Sequence, residues 1–226
     1  RIKKAGGTIS FFQYMEWVLN DPDHGAYGSG RLIPGKHGDF ATSPSLGNEF
    51  SCILAIQVNQ WIKQLIKDQP KAKVLSLVEL GPGKGDMALD LVSELCRISP
   101  QIINRLELVL VEPNKGMVDK QKEKLLNIFN IPIRWSSIEE LKNHPITGIV
   151  IANEMLDALP VERIVWRDKH LFRQGVKIEN NPTSNDLSFC ELPLSFRLTK
   201  VLNELEENIS IKIPPLEAPN EWNTEI

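Results

Sequence analysis

The short segment at residues 79–86 constrains the fold of this chain more than any other stretch. It reads Glu-Leu-Gly-Pro-Gly-Lys-Gly-Asp and follows an apolar run over residues 73–80. Apolar spacing over residues 87–97 then predicts a helix. A strand that turns into a helix through alternating glycines brings backbone close to a ligand, because a Cβ would block the approach. The sequence therefore predicts an α/β unit with a ligand-binding loop.

The spacing of the three glycines narrows the ligand. A phosphate-binding P-loop needs Ser or Thr after Gly-Lys, but Gly85 stands there, and Val78 replaces its first glycine. A dinucleotide loop places its third glycine one residue later than Gly85. The observed spacing, preceded by Glu79, is the form found in S-adenosylmethionine-binding methyltransferases. The methionine moiety of that cofactor makes a carboxylate near the turn useful, and the predicted contacts are Glu79, Gly81, Pro82, Gly83 and Gly85.

Two further strand ends predict the rest of the cofactor site. Glu112 follows the apolar run 106–111, where a carboxylate accepts both ribose hydroxyls of an adenosine. Ser137 and Ile138 follow the run 131–135 and are predicted beside the adenine ring. The alternatives stay open: Glu112 as a solvated loop acid, and Ser137 as the cap of a short helix over 139–142.

Polar residues also appear where the run 148–152 ends, in Asn-Glu-Met-Leu-Asp-Ala-Leu-Pro at residues 153–160. Asn153 is predicted to touch the cofactor. Base-directed amino methyltransferases carry Asp/Asn-Pro-Pro-aromatic at this point, so that class is disfavoured. Glu154 and Asp157 are candidate catalytic residues, because paired carboxylates hold and orient a guanidinium. The alternative is a helix cap at Asn153 and a solvated turn at Asp157.

Periodicity predicts the remaining elements. A capping box at Ser10 and Gln13 opens a helix that ends near Asn20, and residues 21–42 form a long loop. Strand, helix and strand then alternate, which predicts a parallel sheet covered by helices. Further predicted elements are a helix over 43–67 capped by Ser43, a helix over 117–127, a hairpin over 161–178 around Asp168-Lys169, a polar loop over 179–188, a helix over 198–209 and an irregular tail over 212–226.

Composition and residue spacing disfavour several classes of function. The 226 residues carry a net charge of −3, which disfavours a nucleic-acid binder. Cys52, Cys96 and Cys190 are far apart, and no cysteine pair has metal-ligand spacing. The same holds for the histidines at 24, 37, 144 and 170, so no metal is predicted. No apolar run approaches the length of about 18 residues needed to cross a bilayer.

Four ordered motifs carry a family resemblance. They are Tyr14-Met-Glu-Trp with Asp21-Pro-Asp-His-Gly-Ala-Tyr27, Gly38-Asp-Phe-Ala-Thr-Ser-Pro44, Val78-Glu-Leu-Gly-Pro-Gly-Lys-Gly85 and Ala152-Asn-Glu-Met-Leu-Asp-Ala-Leu-Pro-Val161. Together they resemble the MidA family of class I methyltransferases. The resemblance implies a Rossmann-like sheet with an N-terminal helical extension and a β-hairpin insertion. It also implies S-adenosylmethionine as cofactor and a protein arginine as methyl acceptor, in the assembly of respiratory complex I or a related complex.

The resemblance also implies site neighbours and a division of the chain. Asp39, Thr42 and Ser43 are expected near the cofactor, and the alternative for them is a helix cap and a loop anchor. Ser45 departs from the family, which often has Glu there. We expect a helical segment over 1–70, a cofactor core over 71–160 and an insertion with a tail over 161–226. Relatives are longer, so the C-terminal strands of the sheet are expected to be missing from this chain.

Two other functions remain open at this point. One is an assembly or interaction module that binds the cofactor and transfers nothing. The other is a nicotinamide oxidoreductase, which the early third glycine disfavours. The sequence favours a bacterial cytoplasm, or a mitochondrial matrix if the source is eukaryotic, and leaves the oligomeric state open.

Overall fold

A computed structural model describes residues 1–33, 35, 38–179, 186–215 and 217–226. The strands are β1 Thr8–Ser10, β2 Leu75–Leu80, β3 Leu106–Val111, β4 Ile133–Ser136, β5 Gly148–Ala152, β6 Arg163–Arg167, β7 His170–Ile178, β8 Leu187–Leu192 and β9 Glu221–Glu225. The α-helices are α1 Phe11–Asn20, α2 Ser43–Leu46, α3 Glu49–Asp68, α4 Asp86–Ile98, α5 Pro100–Ile103, α6 Lys115–Leu125, α7 Ile138–Asn143 and α8 Phe196–Ile209. Two 3₁₀ turns cover Ile2–Ala5 and Leu156–Ala158.

The described residues group into two compact units, one of residues 19–159 and one of residues 1–18 with 160–226. The first 18 residues thus group with the C-terminal segment rather than with residues 19–70. The division of the chain at residues 70 and 160 into three functional segments stays a prediction. His37 and most of the predicted polar loop, residues 180–185, lie outside the described residues.

The unit of residues 19–159 is built on a parallel sheet in the order β4-β3-β2-β5. Its register places Leu77 beside Leu108 on one side and beside Ile149 on the other. Parallel strands joined through helices are buried on both faces, which explains why β2 and β3 are nearly continuous apolar runs. The predicted parallel sheet is confirmed, and its strands end on the side where the glycine loop lies.

The core of this unit lies mainly on one face of the sheet. Leu75 and Leu77 of β2 point into a cluster with the buried faces of α3 and α4. The largest fully buried members include Leu91, Leu95 and Leu108. The opposite face carries a smaller cluster around Val78, Val109 and Val111. This packing fixes β2 and α4 against each other, and the loop between them is held at both ends.

The predicted single helix over residues 43–67 is wrong, because the chain forms two helices there. Extended backbone at Gly47, with φ of 172°, separates α2 from α3. Ser43 is the first residue of α2, and Thr42 is its N-cap. The backbone N–H of Thr42 donates to the Ser45 hydroxyl over 2.8 Å. Ser45, the residue that departs from the family pattern, thus closes a capping box.

The unit of residues 1–18 and 160–226 contains an antiparallel sheet in the order β1-β7-β6-β9, with β8 paired to β7. The predicted hairpin is confirmed: Asp168 and Lys169 form its turn with φ of 49° and 65°. The prediction of an irregular tail is wrong, since β9 pairs with β6 and sets Trp222 beside Trp166. β9 was missed because a short strand of mostly polar residues gives little periodic signal.

No helix in the described ranges is both long enough and apolar enough to span a membrane.

Candidate functional site

The glycine loop adopts the backbone that its sequence predicts. Gly81, Gly83 and Gly85 have φ of 64°, 54° and 81°, a region that residues with a Cβ rarely occupy. Gly81 is also crowded: a Cβ there would lie 2.6 Å from Cγ of Met155. Gly85 precedes α4 as its N-cap. The loop therefore leaves β2 in a tight turn that strongly favours glycine.

A cavity of about 460 Å³ opens beside this loop. Its size lies within the range of about 300–1,000 Å³ typical of small-molecule sites. It lies where β2, β3 and β5 end, which is where open α/β sheets bind ligands. The predicted site residues that line it are Thr42, Glu79, Gly81, Pro82, Gly83, Glu112, Ile138, Asn153 and Glu154.

Glu79, the last-but-one residue of β2, forms a buried acidic wall of the cavity. It is 5% exposed, and desolvation raises its pKa from 4.5 to about 8, with the charge of Asp86 adding to the rise. Asp86 forms an ion pair with Lys124. A carboxyl with this pKa is largely protonated at neutral pH. A cationic group placed beside it would favour its ionised form.

Glu112 follows β3 and faces the same cavity. The backbone N–H of Asn114 donates to its Oε1 over 2.9 Å, and Nε2 of Gln121 lies 3.4 Å from its Oε2. Desolvation raises the pKa of Glu112, while these hydrogen bonds lower it. The carboxylate is therefore oriented by its own turn and by a buried amide, so it is not a solvated loop acid.

The end of α1 and the start of the predicted long loop, residues 20–33, contact the turn after β3 and the first turn of α6. Nδ2 of Asn114 donates to Oδ1 of Asn20 over 3.1 Å, and the backbone N–H of Gly116 donates to the Gly28 carbonyl over 3.3 Å. A Cβ at Gly116 would lie 2.4 Å from the backbone nitrogen of Gly30, so this contact needs glycine. These contacts bring Tyr27 into the cavity lining.

Tyr27 lines the cavity, although no site role was predicted for it. Burial raises the pKa of its hydroxyl, and the charges of Asp157 and Glu112 raise it further. The phenol therefore stays protonated at neutral pH and is a hydrogen-bond donor near two carboxylates. Its place in a Gly-Ala-Tyr motif was visible in the sequence, but only the fold shows that it reaches the cavity.

The segment after β5 brings Asn153 and Glu154 to the cavity. Glu154 is exposed and has φ of 48°, which is uncommon for a residue with a side chain. Met155 packs on Gly81, so this segment contacts the glycine loop directly. Asp157 is exposed, outside the cavity lining, on the 3₁₀ turn Leu156–Ala158.

Four other predicted residues lie near the site without lining it. Oγ of Ser137 accepts the Glu140 N–H over 3.1 Å as the N-cap of α7. Oδ2 of Asp39 accepts the Ile33 N–H over 2.8 Å. Ser43 and Gly85 begin or cap helices. The cofactor contacts predicted for Ser137 and Gly85, and the site role of Asp39 and Ser43, stay predictions.

The cavity lining also includes residues that were not predicted as site residues. Among them are Asn20, Tyr27, Phe40, Pro44, Ser45, Met87, Met155 and Leu159. Most of them are apolar or amide side chains in helices and loops, where apolar spacing alone does not mark a site role. An apolar lining with a few polar groups is the usual composition of a small-molecule site.

Asp21, Asp23 and His24 bring potential metal-ligand atoms within 4.8 Å of one another. The backbone N–H groups of Asp23 and His24 donate to Oδ1 of Asp21, over 3.1 and 2.9 Å. These bonds explain the cluster as an Asx turn that shapes the start of the loop.

Comparison with known proteins agrees with this geometry. Residues 53–226 match the family model described as "Putative S-adenosyl-L-methionine-dependent methyltransferase". The chain is 30% identical over 193 residues to protein arginine methyltransferase NDUFAF7, mitochondrial, of Xenopus tropicalis, covering 73% of this chain and 43% of that protein. The mouse protein of the same name is 26% identical, covering 94% of this chain and 52% of that protein.

A solved structure extends the comparison to the fold. A COG1565 superfamily member and likely methyl transferase from Burkholderia thailandensis, bound to S-adenosyl-homocysteine, superposes with a TM-score of 0.72 and 25% identity. The match covers all of this chain and 53% of that one. The chain thus spans about half the length of the relatives it matches.

The predicted resemblance and the predicted Rossmann-like α/β fold are therefore confirmed. The matched family model covers the glycine loop, Glu112 and the segment after β5. This chain belongs to the S-adenosyl-L-methionine-dependent methyltransferase family that the model describes.

Proposed function

We propose that this chain binds S-adenosylmethionine in the cavity beside the glycine loop and transfers its methyl group to an arginine of a protein. The observation that carries the proposal is the meeting of Glu79, the glycine loop and Glu112 around one cavity at the ends of β2 and β3. The relatives named as protein arginine methyltransferases and the neighbour bound to S-adenosyl-homocysteine support it.

Different residues of the cavity lining contact different parts of the cofactor in this proposal. The oriented carboxylate of Glu112 accepts the ribose hydroxyls. Glu79, just before the glycine loop, is placed to stabilise the cationic amino group of the methionine moiety. Ile138 offers an apolar surface to the adenine, and Asn153 closes the site from the end of β5. The nicotinamide alternative lacks support because the third glycine comes too early for a dinucleotide loop.

When bound, the cofactor supplies a methyl group on a positively charged sulfur. The residues of the chain orient the acceptor and keep water out, and orientation alone lowers such a barrier substantially. An arginine acceptor arrives protonated, because its pKa is above about 12. Glu154 holds the guanidinium fork at the cavity, Asp157 assists from the adjoining turn, and one of the two carboxylates takes the proton that the methylated nitrogen releases.

The substrate and location extend this proposal. We infer that the acceptor is a subunit of a respiratory or related complex, as the family resemblance implies. The curated relatives are named mitochondrial, which favours a mitochondrial matrix if the source is eukaryotic. A bacterial source would place the chain in the cytoplasm.

Transfer of a radiolabelled methyl group tests the proposal. The chain and labelled S-adenosylmethionine are added to a lysate of the source organism, and labelled proteins are identified by mass spectrometry. We expect label on arginine of one or a few proteins, and strongly reduced label with the Glu154→Gln variant. Binding of the cofactor without any labelled protein would favour the assembly module instead, and label on nucleic acid would contradict the proposed acceptor.

A further inference from the structure

Gln121 lies in the middle of α6, and its side chain is fully buried. None of the residues of α6 lines the cavity. The remaining residues of this helix are rich in charge, so a buried amide there needs partners, since a buried polar group without hydrogen bonds is costly. Its partners lie at the ends of three neighbouring strands.

Two of these partners fix the orientation of the amide. Nε1 of Trp135, in β4, donates to Oε1 of Gln121 over 2.9 Å. Nε2 of Gln121 donates to the carbonyl oxygen of Gly83 over 2.7 Å. An indole N–H only donates and a carbonyl only accepts, so the two ends of the amide cannot be exchanged.

The third partner is the ribose-binding candidate. The second hydrogen of Nε2 is directed toward Oε2 of Glu112, at an N–O distance of 3.4 Å. The other oxygen of Glu112 already accepts the Asn114 backbone N–H. Each oxygen of the Glu112 carboxylate thus accepts a hydrogen bond. Of these two donor residues, Gln121 also donates to the glycine loop.

We propose that Gln121 is a positioning residue that sets the Glu112 carboxylate and the glycine loop in the geometry that binds the ribose of the cofactor. The proposal rests on the proposed function of the cavity. One buried side chain joins the loop after β2, the acid after β3 and the tryptophan of β4. A shift of any of these segments therefore moves the others, as expected of a buried network whose members are all satisfied.

The network requires an amide. A carboxylate at position 121 would set one oxygen against the Gly83 carbonyl and the Glu112 carboxylate, where both contacts are repulsive. A leucine fills a similar volume but leaves the Gly83 carbonyl, Glu112 and the Trp135 indole without this partner. Both substitutions are expected to act on the ribose contact rather than on the adenine or methionine contacts.

The test measures how strongly the chain discriminates for ribose hydroxyls. Dissociation constants are measured by calorimetry for S-adenosyl-homocysteine and for its analogue lacking both ribose hydroxyls. In the unchanged chain we expect the analogue to bind about tenfold more weakly or worse, as for loss of hydrogen bonds to a charged group. In Gln121→Leu and Gln121→Glu this ratio should fall toward one, mainly because binding of S-adenosyl-homocysteine weakens.

Met117→Ala is the matched control. Met117 lies one turn earlier on α6 and is fully buried, and no hydrogen bond joins its side chain to the loop or to Glu112. We expect this variant to unfold more easily while it keeps the ribose preference of the unchanged chain. If Met117→Ala lowers the ribose preference as much as the substitutions at 121 do, the effect comes from a general loosening of α6. That result would overturn the positioning role.

The outcomes separate the two proposals. No binding of S-adenosyl-homocysteine to the unchanged chain would contradict the proposed function itself. A folded Gln121→Leu variant that keeps the ribose preference would overturn the positioning role alone. If the substitutions at 121 do not fold, Trp135→Phe removes the donor that orients the amide and leaves the amide itself in place. We expect it to lower the preference about threefold, and an unchanged preference there would equally overturn the inference.

Discussion

The side-chain amide of Gln121 donates to the carbonyl oxygen of Gly83 over 2.7 Å, across 38 residues of sequence. A helix that lines no part of the cavity therefore holds the loop that does. The same amide accepts from the Trp135 indole. The stability of the unit of residues 19–159 and the shape of its cavity depend on the same buried group, which gives a first prediction.

Replacement of Trp135 by Phe should destabilise the fold through one hydrogen bond. The change removes the indole donor and leaves Oε1 of the fully buried Gln121 without this partner. An unsatisfied buried acceptor costs about 1–3 kcal/mol. Urea unfolding should show that loss in the free energy of unfolding, whereas Trp166→Phe in the antiparallel sheet serves as a control for loss of an indole. A cost below that of the control would contradict the role of the bond.

Ionisation of Glu79 should make the fold less stable as the pH rises. Its pKa is raised from 4.5 to about 8 by burial, so the folded chain binds a proton that the unfolded chain has already lost between these values. The contribution of Glu79 protonation to the free energy of unfolding is fully present below about pH 4.5. It falls by at most about 1.4 kcal/mol per pH unit between these two pKa values and changes no further above about pH 8.

The Glu79→Gln variant isolates this effect, because an amide does not titrate. Urea unfolding of both chains at several values between pH 5 and 8.5 gives the difference in their free energies of unfolding. We expect the difference to move in favour of the variant as the pH rises. Parallel curves for the two chains would show that Glu79 is not held protonated.

The Glu79 proton should also be released when the cofactor binds. A cationic amino group beside Glu79 favours its ionised form, so binding at pH 7 should expel a proton. Calorimetric titration with S-adenosyl-homocysteine in two buffers of different ionisation enthalpy measures that proton. The proton release should be smaller in Glu79→Gln, and equal release in both chains would assign the proton to another group.

Alanine at the glycines of the loop should destabilise the fold unequally. Gly81 and Gly83 both have positive φ, so alanine at either strains the backbone by about 1 kcal/mol. At Gly81 the new Cβ would also lie 2.6 Å from Cγ and 3.1 Å from Cβ of Met155, whereas at Gly83 it meets nothing within 4 Å. Thermal unfolding should therefore rank Gly81→Ala below Gly83→Ala, and the reverse order would contradict the packing of Met155.

The carboxylates after β5 should affect turnover more than cofactor binding. Glu154→Gln and Asp157→Asn keep the shape of each side chain and remove its charge, so the hold on a guanidinium weakens. We expect the rate of methyl transfer to fall by about tenfold or more in Glu154→Gln, with the Kd for S-adenosyl-homocysteine nearly unchanged. Asp157→Asn should have the smaller effect, because Asp157 lies outside the cavity lining. Intact turnover in both variants would show that neither holds the acceptor.

The glycine loop and the strand ends were predictable because their signals are local. Strong alternation of glycines fixes a turn, and a buried parallel strand is a continuous apolar run. β3, which is mostly buried, has the predicted bounds for that reason. β5 also has the predicted bounds, although Val150 is exposed, because polar residues directly follow its apolar run. The break at Gly47 was missed, since the apolar spacing of α2 and α3 continues across it.

Long-range contacts could not be predicted in the same way. Tyr27 reaches the cavity because its loop contacts Gly116. The apolar periodicity of the sequence does not predict that contact. Gln121 did leave a weak signal, since it occupies the buried spacing between Met117 and Leu125 in a charged helix. An amide in that apolar stripe indicates a buried hydrogen bond, but its partners emerge only from the fold.

Calorimetric titration of the unchanged chain with S-adenosyl-homocysteine and with NAD tests whether the cavity beside the glycine loop binds the cofactor. We expect one bound S-adenosyl-homocysteine per chain, a Kd at least about tenfold weaker in Glu112→Ala, and no competition from NAD. No binding of S-adenosyl-homocysteine, or its displacement by NAD, would contradict the assignment of this cavity to the cofactor.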